Sequence, residues 1–158
     1  MSKIQDNIDP NIIEANSDSK ITIVKSTYHS EITDRLTESC ISTLREAGVY
    51  EDNVTTIEVP GAWEIPYGCQ LALKNKPDAV IGIGCIIKGE TPHFDFIAKE
   101  VSRAIMDLSL NKDIPIIFGI LTSLNMEQAK ARIKGGVRGD KGVETAQAAI
   151  KMINLNAQ

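Results

Sequence analysis

The sequence predicts an α/β fold built on a parallel sheet, and three observations lead there. Four short runs that suit strands recur along the chain, and each is followed by a stretch with apolar residues at helical spacing. The third run, residues 79–84 (AVIGIG), is apolar throughout, as expected of a strand covered on both faces. No repeat, low-complexity tract or second domain breaks the alternation, and 158 residues suit one domain.

The elements follow in order. Residues 1–19 read as an arm, polar and carrying Asp6, Asp9, Glu14 and Asp18, with at most a short strand at 11–15; residues 20–158 form the single domain. The run 21–25 (ITIVK) is a β-branched strand. Ser30 is placed to cap a helix whose apolar residues Ile32, Leu36, Cys40, Leu44 and Ala47 share a face, and Gly48 ends it. A second strand, 54–59, runs into Pro60 and Gly61. The helix after it reaches about Asn75, with Pro66 confined to its first turn.

After the third strand a loop leads to Thr91 as N-cap and Pro92 as first helical residue. The helix then carries Phe94, Ile97, Val101, Ile105 and Leu108 on one face. The fourth strand, 114–121, precedes a short helix near 126–133. A glycine-rich link, 135–142, leads to a last helix with Val143, Ala146, Ile150 and Ile153. Right-handed crossovers between such units give a flavodoxin-like three-layer α/β/α sandwich with a four-stranded parallel sheet in the order 2-1-3-4.

Composition excludes several classes. A net charge of −4 argues against a nucleic-acid-binding domain, which usually carries a basic surface. Cys40, Cys69 and Cys85 form no CxxC pair, and with only His29 and His93 beside them a zinc site is not expected. The thiols read as reduced, as in the cytoplasm. The first twenty residues lack the apolar run of a secretory signal, and the longest apolar stretch, 79–87, is roughly half of a membrane span. The expectation is a soluble cytoplasmic protein without membrane contact.

In open parallel sheets ligands bind beyond the carboxyl ends of the strands. That rule selects 26–29, 60–64, 85–93 and 122–125. The third segment, CIIKGETPH, is the sharpest. A helix N-terminus there would attract an anion, Gly89 would allow close approach, and Lys88 adds charge. The same residues also suit a helix that is merely well capped. His93 is the acid–base candidate, since imidazole titrates near neutral pH; its plain alternative is an exposed surface histidine.

The lone tryptophan, Trp63, lies beside Glu64 in the second segment, and Tyr28 lies in the first, so a planar heterocycle has rings to stack on. Those rings would serve equally to cap the core. Phe118, inside a strand, reads as core by default. Residues 132–141 (RIKGGVRGDK) gather four cations and three glycines; they suit a phosphate or a plain solvated turn.

Other motifs fail. Residues 82–87 (GIGCII) have Ile87 where a dinucleotide fingerprint needs its third glycine, and they follow the third strand rather than the first. The glycine-rich link lacks Gly-Lys-Ser/Thr, and there is no GxSxG elbow. Cys85 with His93 would make a thiol nucleophile pair, but Cys85 continues an apolar strand and reads as packing.

VPGAWEIP (59–66), GCIIKGETPHFDFI (84–97), IIFGILT (116–122), NMEQAKAR (125–132) and DKGVETAQAAIKM (140–152) together closely resemble the lumazine synthase family, in the family's order and from about residue 20 onward. The resemblance implies a transferase of riboflavin biosynthesis that needs no metal or cofactor. It would join 5-amino-6-(D-ribitylamino)uracil to 3,4-dihydroxy-2-butanone 4-phosphate, giving 6,7-dimethyl-8-ribityllumazine.

Roles follow by position. Tyr28 would stack on the pyrimidine. Ala62, Trp63 and Glu64 would bind the ring and ribityl chain, and Cys85, Ile86 and Ile87 would meet the ring mainly through backbone. Glu90, Thr91 and Arg132 would bind the phosphate, with Lys141 as a further contact. His93 would be the proton donor, and Phe118 would come from a neighbouring subunit. The resemblance also implies homopentamers, an icosahedral shell of sixty subunits and riboflavin synthase as an enclosed partner.

The chain departs from the family's usual pattern at four places. Tyr28 stands where Phe or Trp is usual, His29 where Asn is common, and Lys88 where Arg is usual. The stretch after Arg132 is one residue longer, which makes Arg138 the fallback for its role. Three rival readings remain at this point: a non-catalytic flavin or lumazine binder, a shell protein with a vestigial pocket, and a hydrolase using Cys85.

Overall fold

The computed structural model describes residues 13–158. Four strands, β1 (Ile21–Ser26), β2 (Val54–Val59), β3 (Ala79–Ile87) and β4 (Ile116–Ser123), form one parallel sheet in the order β2-β1-β3-β4. Five α-helices pack around it: α1 (Ser30–Glu46), α2 (Ile65–Ala72), α3 (His93–Lys112), α4 (Met126–Lys130) and α5 (Lys141–Asn156). The expected three-layer arrangement and strand order are borne out.

The alternation of side chains along each strand divides the core in two. Ile21, Ile23, Ile81 and Ile83 face α1 and α5, where Leu36, Leu44, Ala146 and Ile150 cover them. Val24, Val80, Ile116 and Ile120 face α2 and α3, under Ile65, Cys69, Val101 and Ile105. β3 lies inside the sheet with eight of its nine residues buried, which is why its sequence shows no polar alternation.

Gly84 of β3 has a specific packing use. A Cβ at that position would sit 2.7 Å from Ile65 Cδ1 and 3.3 Å from Ser26 Oγ. The missing side chain lets the start of α2 settle onto the sheet, and it carries the preceding 3-10 turn, Ala62–Glu64, down beside the strand ends.

Element ends differ from expectation in identifiable ways. β3 runs three residues further, through Cys85, Ile86 and Ile87, because β4 continues alongside it and pairs Ile86 with Thr122 and Ile87 with Ser123. β4 starts two residues later than expected and ends two later. Helix α1 is capped by His29 rather than Ser30; the His29 carbonyl accepts the N–H groups of Ile32 (2.9 Å) and Thr33 (3.0 Å). Likewise α3 begins at His93, with Pro92 in the cap position that Thr91 was expected to fill, and no side chain caps that end. The second helix is shorter than expected, flanked by 3-10 turns at Ala62–Glu64 and Leu73–Asn75, with Pro66 in its first turn. The short helix α4 stops at Lys130. Of the strand expected at 11–15, Asn11 and Ile12 lie outside the described residues, and Ile13 to Ala15 are not strand.

Candidate active site

A cavity of about 830 Å³ opens over the carboxyl ends of β1, β2 and β3. It is where the topology of a parallel sheet places ligands, since the strand-to-helix turns there rise from a rigid base.

The first wall is the β1–α1 turn. Beyond the last ladder pair, Thr27 N–H donates to Val59 O (2.9 Å) and Tyr28 N–H to Pro60 O (3.0 Å), so the turn stays tied to the next one. Tyr28 and His29 both line the cavity, and their rings meet edge to face with centroids 4.5 Å apart. The second wall is the 3-10 turn with Ala62, Trp63 and Glu64. Glu64 Oε2 accepts the Gly61 N–H at 3.0 Å, which fixes the turn and leaves lone pairs for a hydroxyl-bearing ligand.

Cys85, Ile86 and Ile87, the end of β3, form the floor. Cys85 is 3% exposed, and burial first, then the charge of Glu31, pushes its thiol up to about 12. It is therefore a thiol and not a nucleophilic thiolate at neutral pH. Opposite stand Gly89, Thr91 and His93, with Phe94, Phe96 and Ile97 on the first turns of α3. The Pro92 carbonyl accepts the Asp95 N–H (3.0 Å), leaving earlier N–H groups without helical partners. The helix end therefore brings a partial positive charge to this side of the cavity, suited to an anion.

Nine sequence-predicted residues thus come together around one cavity: Tyr28, Ala62, Trp63, Glu64, Cys85, Ile86, Ile87, Thr91 and His93. Four do not line it. Glu90 is exposed in the loop between Gly89 and Thr91. Phe118 is 41% exposed on β4, not core as its place in a strand suggested, because β4 is an edge strand and leaves that side chain partly uncovered. Arg132 donates through Nη1 to the Gln128 carbonyl (2.7 Å) at the end of α4. Lys141 pairs with Glu144 in the first turn of α5.

Sequence reasoning missed Phe96 and gave Phe94 and Ile97 only a core role. The helical stripe that packs on the sheet extends past the strand ends in its first turn, and there it faces the cavity. His29 was noted only as a departure from a family pattern. Its place in a ligand-facing turn beside Tyr28 was the available signal. Among the described residues, no three of His, Cys, Asp and Glu converge as a metal site requires, and no helix is long and apolar enough to cross a membrane.

Flat aromatic walls, a carboxylate, an imidazole and an anion-attracting helix end suit a planar polar heterocycle beside a phosphate. Comparison with known proteins agrees with that chemistry. Residues 18–157 match the family model described as 6,7-dimethyl-8-ribityllumazine synthase. A protein of that description from Parabacteroides distasonis is 41% identical over 150 residues, covering 94% of this chain and 93% of the relative. Another, from Gemmatimonas aurantiaca, is 41% identical over 137 residues, covering 86% and 83%. With the family model matched through nearly the whole domain and two of the family-like stretches, 59–66 and 84–97, contributing residues to one cavity, the chain belongs to the 6,7-dimethyl-8-ribityllumazine synthase family.

Proposed function

We infer that this chain is a transferase of riboflavin biosynthesis. It condenses 5-amino-6-(D-ribitylamino)uracil with 3,4-dihydroxy-2-butanone 4-phosphate, giving 6,7-dimethyl-8-ribityllumazine and releasing phosphate and water. The observation that carries this reading is the convergence of Tyr28, Trp63 and His93 with the first turn of α3 on one cavity, in a chain of this family.

The pyrimidine stacks on Tyr28, with Ala62 and Trp63 along the ring and ribityl chain and Glu64 accepting from the ribityl hydroxyls. The backbone of Cys85, Ile86 and Ile87, at the cavity floor, meets the ring edge. Thr91 and Glu90 bring the phosphate to the α3 N-terminus, with Arg132 and then Lys141 as the cationic partners. The uracil amine attacks the ketone, and His93 moves the protons by which the adduct loses its hydroxyl as a first water and becomes an imine. Elimination of phosphate is favoured by donors already aimed at its oxygens. Closure of the second ring with loss of water completes the product. Holding two reactants side by side supplies much of the rate.

Phe118 and Arg132 stand away from this protomer's own cavity, which supports a site completed across a subunit boundary. We accordingly read the protein as a homopentamer that assembles into an icosahedral shell of sixty, with riboflavin synthase as the enclosed partner, in the cytoplasm. The hydrolase reading loses its basis, because the Cys85 thiol is buried and held protonated.

Mixing the two substrates with the protein and following lumazine absorbance and phosphate release tests the reaction directly. No product from the wild-type protein would overturn it. His93→Ala is expected to slow turnover roughly 100-fold without abolishing it, because proximity remains. Arg132→Ala is expected to raise KM for the phosphate substrate roughly 10-fold or more, and an unchanged value rejects its role.

A further inference from the structure

We propose that His29 is a positioning residue, whose imidazole holds the Tyr28 ring in the orientation that receives the pyrimidine. The inference rests on the stacking role read for Tyr28 above and deepens it.

The backbone at His29 is the first ground. Its φ of 58° and ψ of 50° are left-handed. The other non-glycine residues with positive φ among the described residues, Lys76 and Asp113, follow helix C-termini, where that conformation is common. His29 instead precedes a helix. Tyr50, Gly61, Asn125 and Asp140, which also precede helical segments, are extended, the usual geometry for such a position. A residue bearing a side chain and held in a costly backbone conformation at a cavity wall calls for a local use.

The second ground is what the side chain does. An N-cap residue ordinarily turns its side chain back onto the helix N–H groups, but His29 makes no such bond. Its ring lies against Tyr28 instead, at 4.5 Å between centroids and an interplanar angle of 64°, and both rings line the cavity. The backbone of Tyr28 is fixed by its bond to Pro60 O, yet its side chain is 67% exposed. A ring so exposed has several rotamers open to it, and the neighbouring imidazole is the contact that selects among them. Losing it leaves the ordering of Tyr28 to be done when ligand binds, which weakens binding.

The test uses three variants of the full-length protein in steady-state kinetics with each substrate varied in turn. His29→Asn and His29→Gly both tolerate the left-handed backbone and remove the ring. His29→Phe keeps an edge-to-face partner without the ring nitrogens. We expect Asn and Gly to raise KM for the pyrimidine substrate roughly 3- to 10-fold, with kcat and the KM of the phosphate substrate changed less than twofold, and Phe to restore the pyrimidine KM. Wild-type pyrimidine KM in the Asn and Gly variants overturns the proposal, as does failure of Phe to restore it. Tyr28→Ala separates the two readings. If it leaves the pyrimidine KM unchanged, the stacking assignment itself fails; if it raises KM while the His29 variants behave as wild type, only the role of His29 fails.

Discussion

Asp140 is the point at which the link carrying Arg132 and Lys141 is fastened to the rest of the fold, and its removal has a cost that can be worked from its bonds. One carboxylate oxygen accepts the N–H groups of Gly142 (2.9 Å) and Val143 (3.4 Å), capping α5. The other accepts the Ser39 hydroxyl at 2.7 Å, joining α5 to the neighbouring helix α1. Asp140→Ala removes the cap, at about 1 kcal/mol. It also leaves the Ser39 hydroxyl, only 8% exposed, without its acceptor, at about 1–2 kcal/mol more. The expected loss is about 2–3 kcal/mol, which for a chain of this size lowers the melting midpoint by about 5–10 °C. Asp140→Asn keeps an acceptor for the cap and should lose about 1 kcal/mol or less. Thermal and denaturant unfolding at fixed protein concentration measure these differences. In a cycle with Ser39→Ala the two single effects should be less than additive, because they remove the same bond. A midpoint for Asp140→Ala within a degree of wild type, or full additivity with Ser39→Ala, would refute the reasoning.

Two further outcomes are expected. Burial pushes all three thiols, Cys40, Cys69 and Cys85, from 9.0 up to about 12. A folded-state value raised above the unfolded one gives stability that is complete below about pH 9 and is lost as pH climbs toward 12. The melting midpoint should therefore fall over that window, less steeply in Cys69→Ala, and iodoacetamide at pH 8 should label the unfolded but not the native protein. Fast native labelling of Cys85 with loss of activity would contradict this. For the assembly, sixty copies of a 17.2 kDa chain weigh about one megadalton; light scattering should find that particle, and a particle of five chains or fewer at working concentration would remove the shell from the reading.

The sheet was legible because its inner strands, β1 and β3, had to be apolar enough to lie between two helical layers, and the helical stripes between strands had nowhere else to pack. Ile81 and Ile83, fully buried, announce themselves in a run with no polar interruption. Boundaries were less legible because they depend on partners far along the chain. Cys85, Ile86 and Ile87 are strand only because β4 runs beside them, and no local feature of 85–87 reports that. The His29 cap is another such case: Ser30 is the better capping residue on intrinsic grounds, but Thr27 and Tyr28 are tied to Val59 at the end of β2 and to Pro60 beyond it, and the chain enters the helix one residue sooner.

The site divides along the same line. Tyr28, Trp63, Glu64 and His93 were legible because they stand at strand ends, where the topology alone makes a binding site. Phe118 was read as core because a strand residue is usually covered, although the expected order 2-1-3-4 already puts its strand at an edge, where a side chain has fewer neighbours to cover it. Its exposure, with that of Tyr28 (67%) and Trp63 (57%), leaves three aromatic rings partly in water. Each fully covered ring would contribute about 1.5–3 kcal/mol, so a partner surface or ligand over them has a substantial driving force. In our reading two kinds of residue build the catalyst. The stacking rings and His93 are set by the fold of one protomer, whereas Phe118 and Arg132 reach a cavity only when another copy stands beside the first. The first set should hold the pyrimidine wherever the chain folds; the second, Phe118 for the pyrimidine and Arg132 for the phosphate, ties completion of the site to assembly.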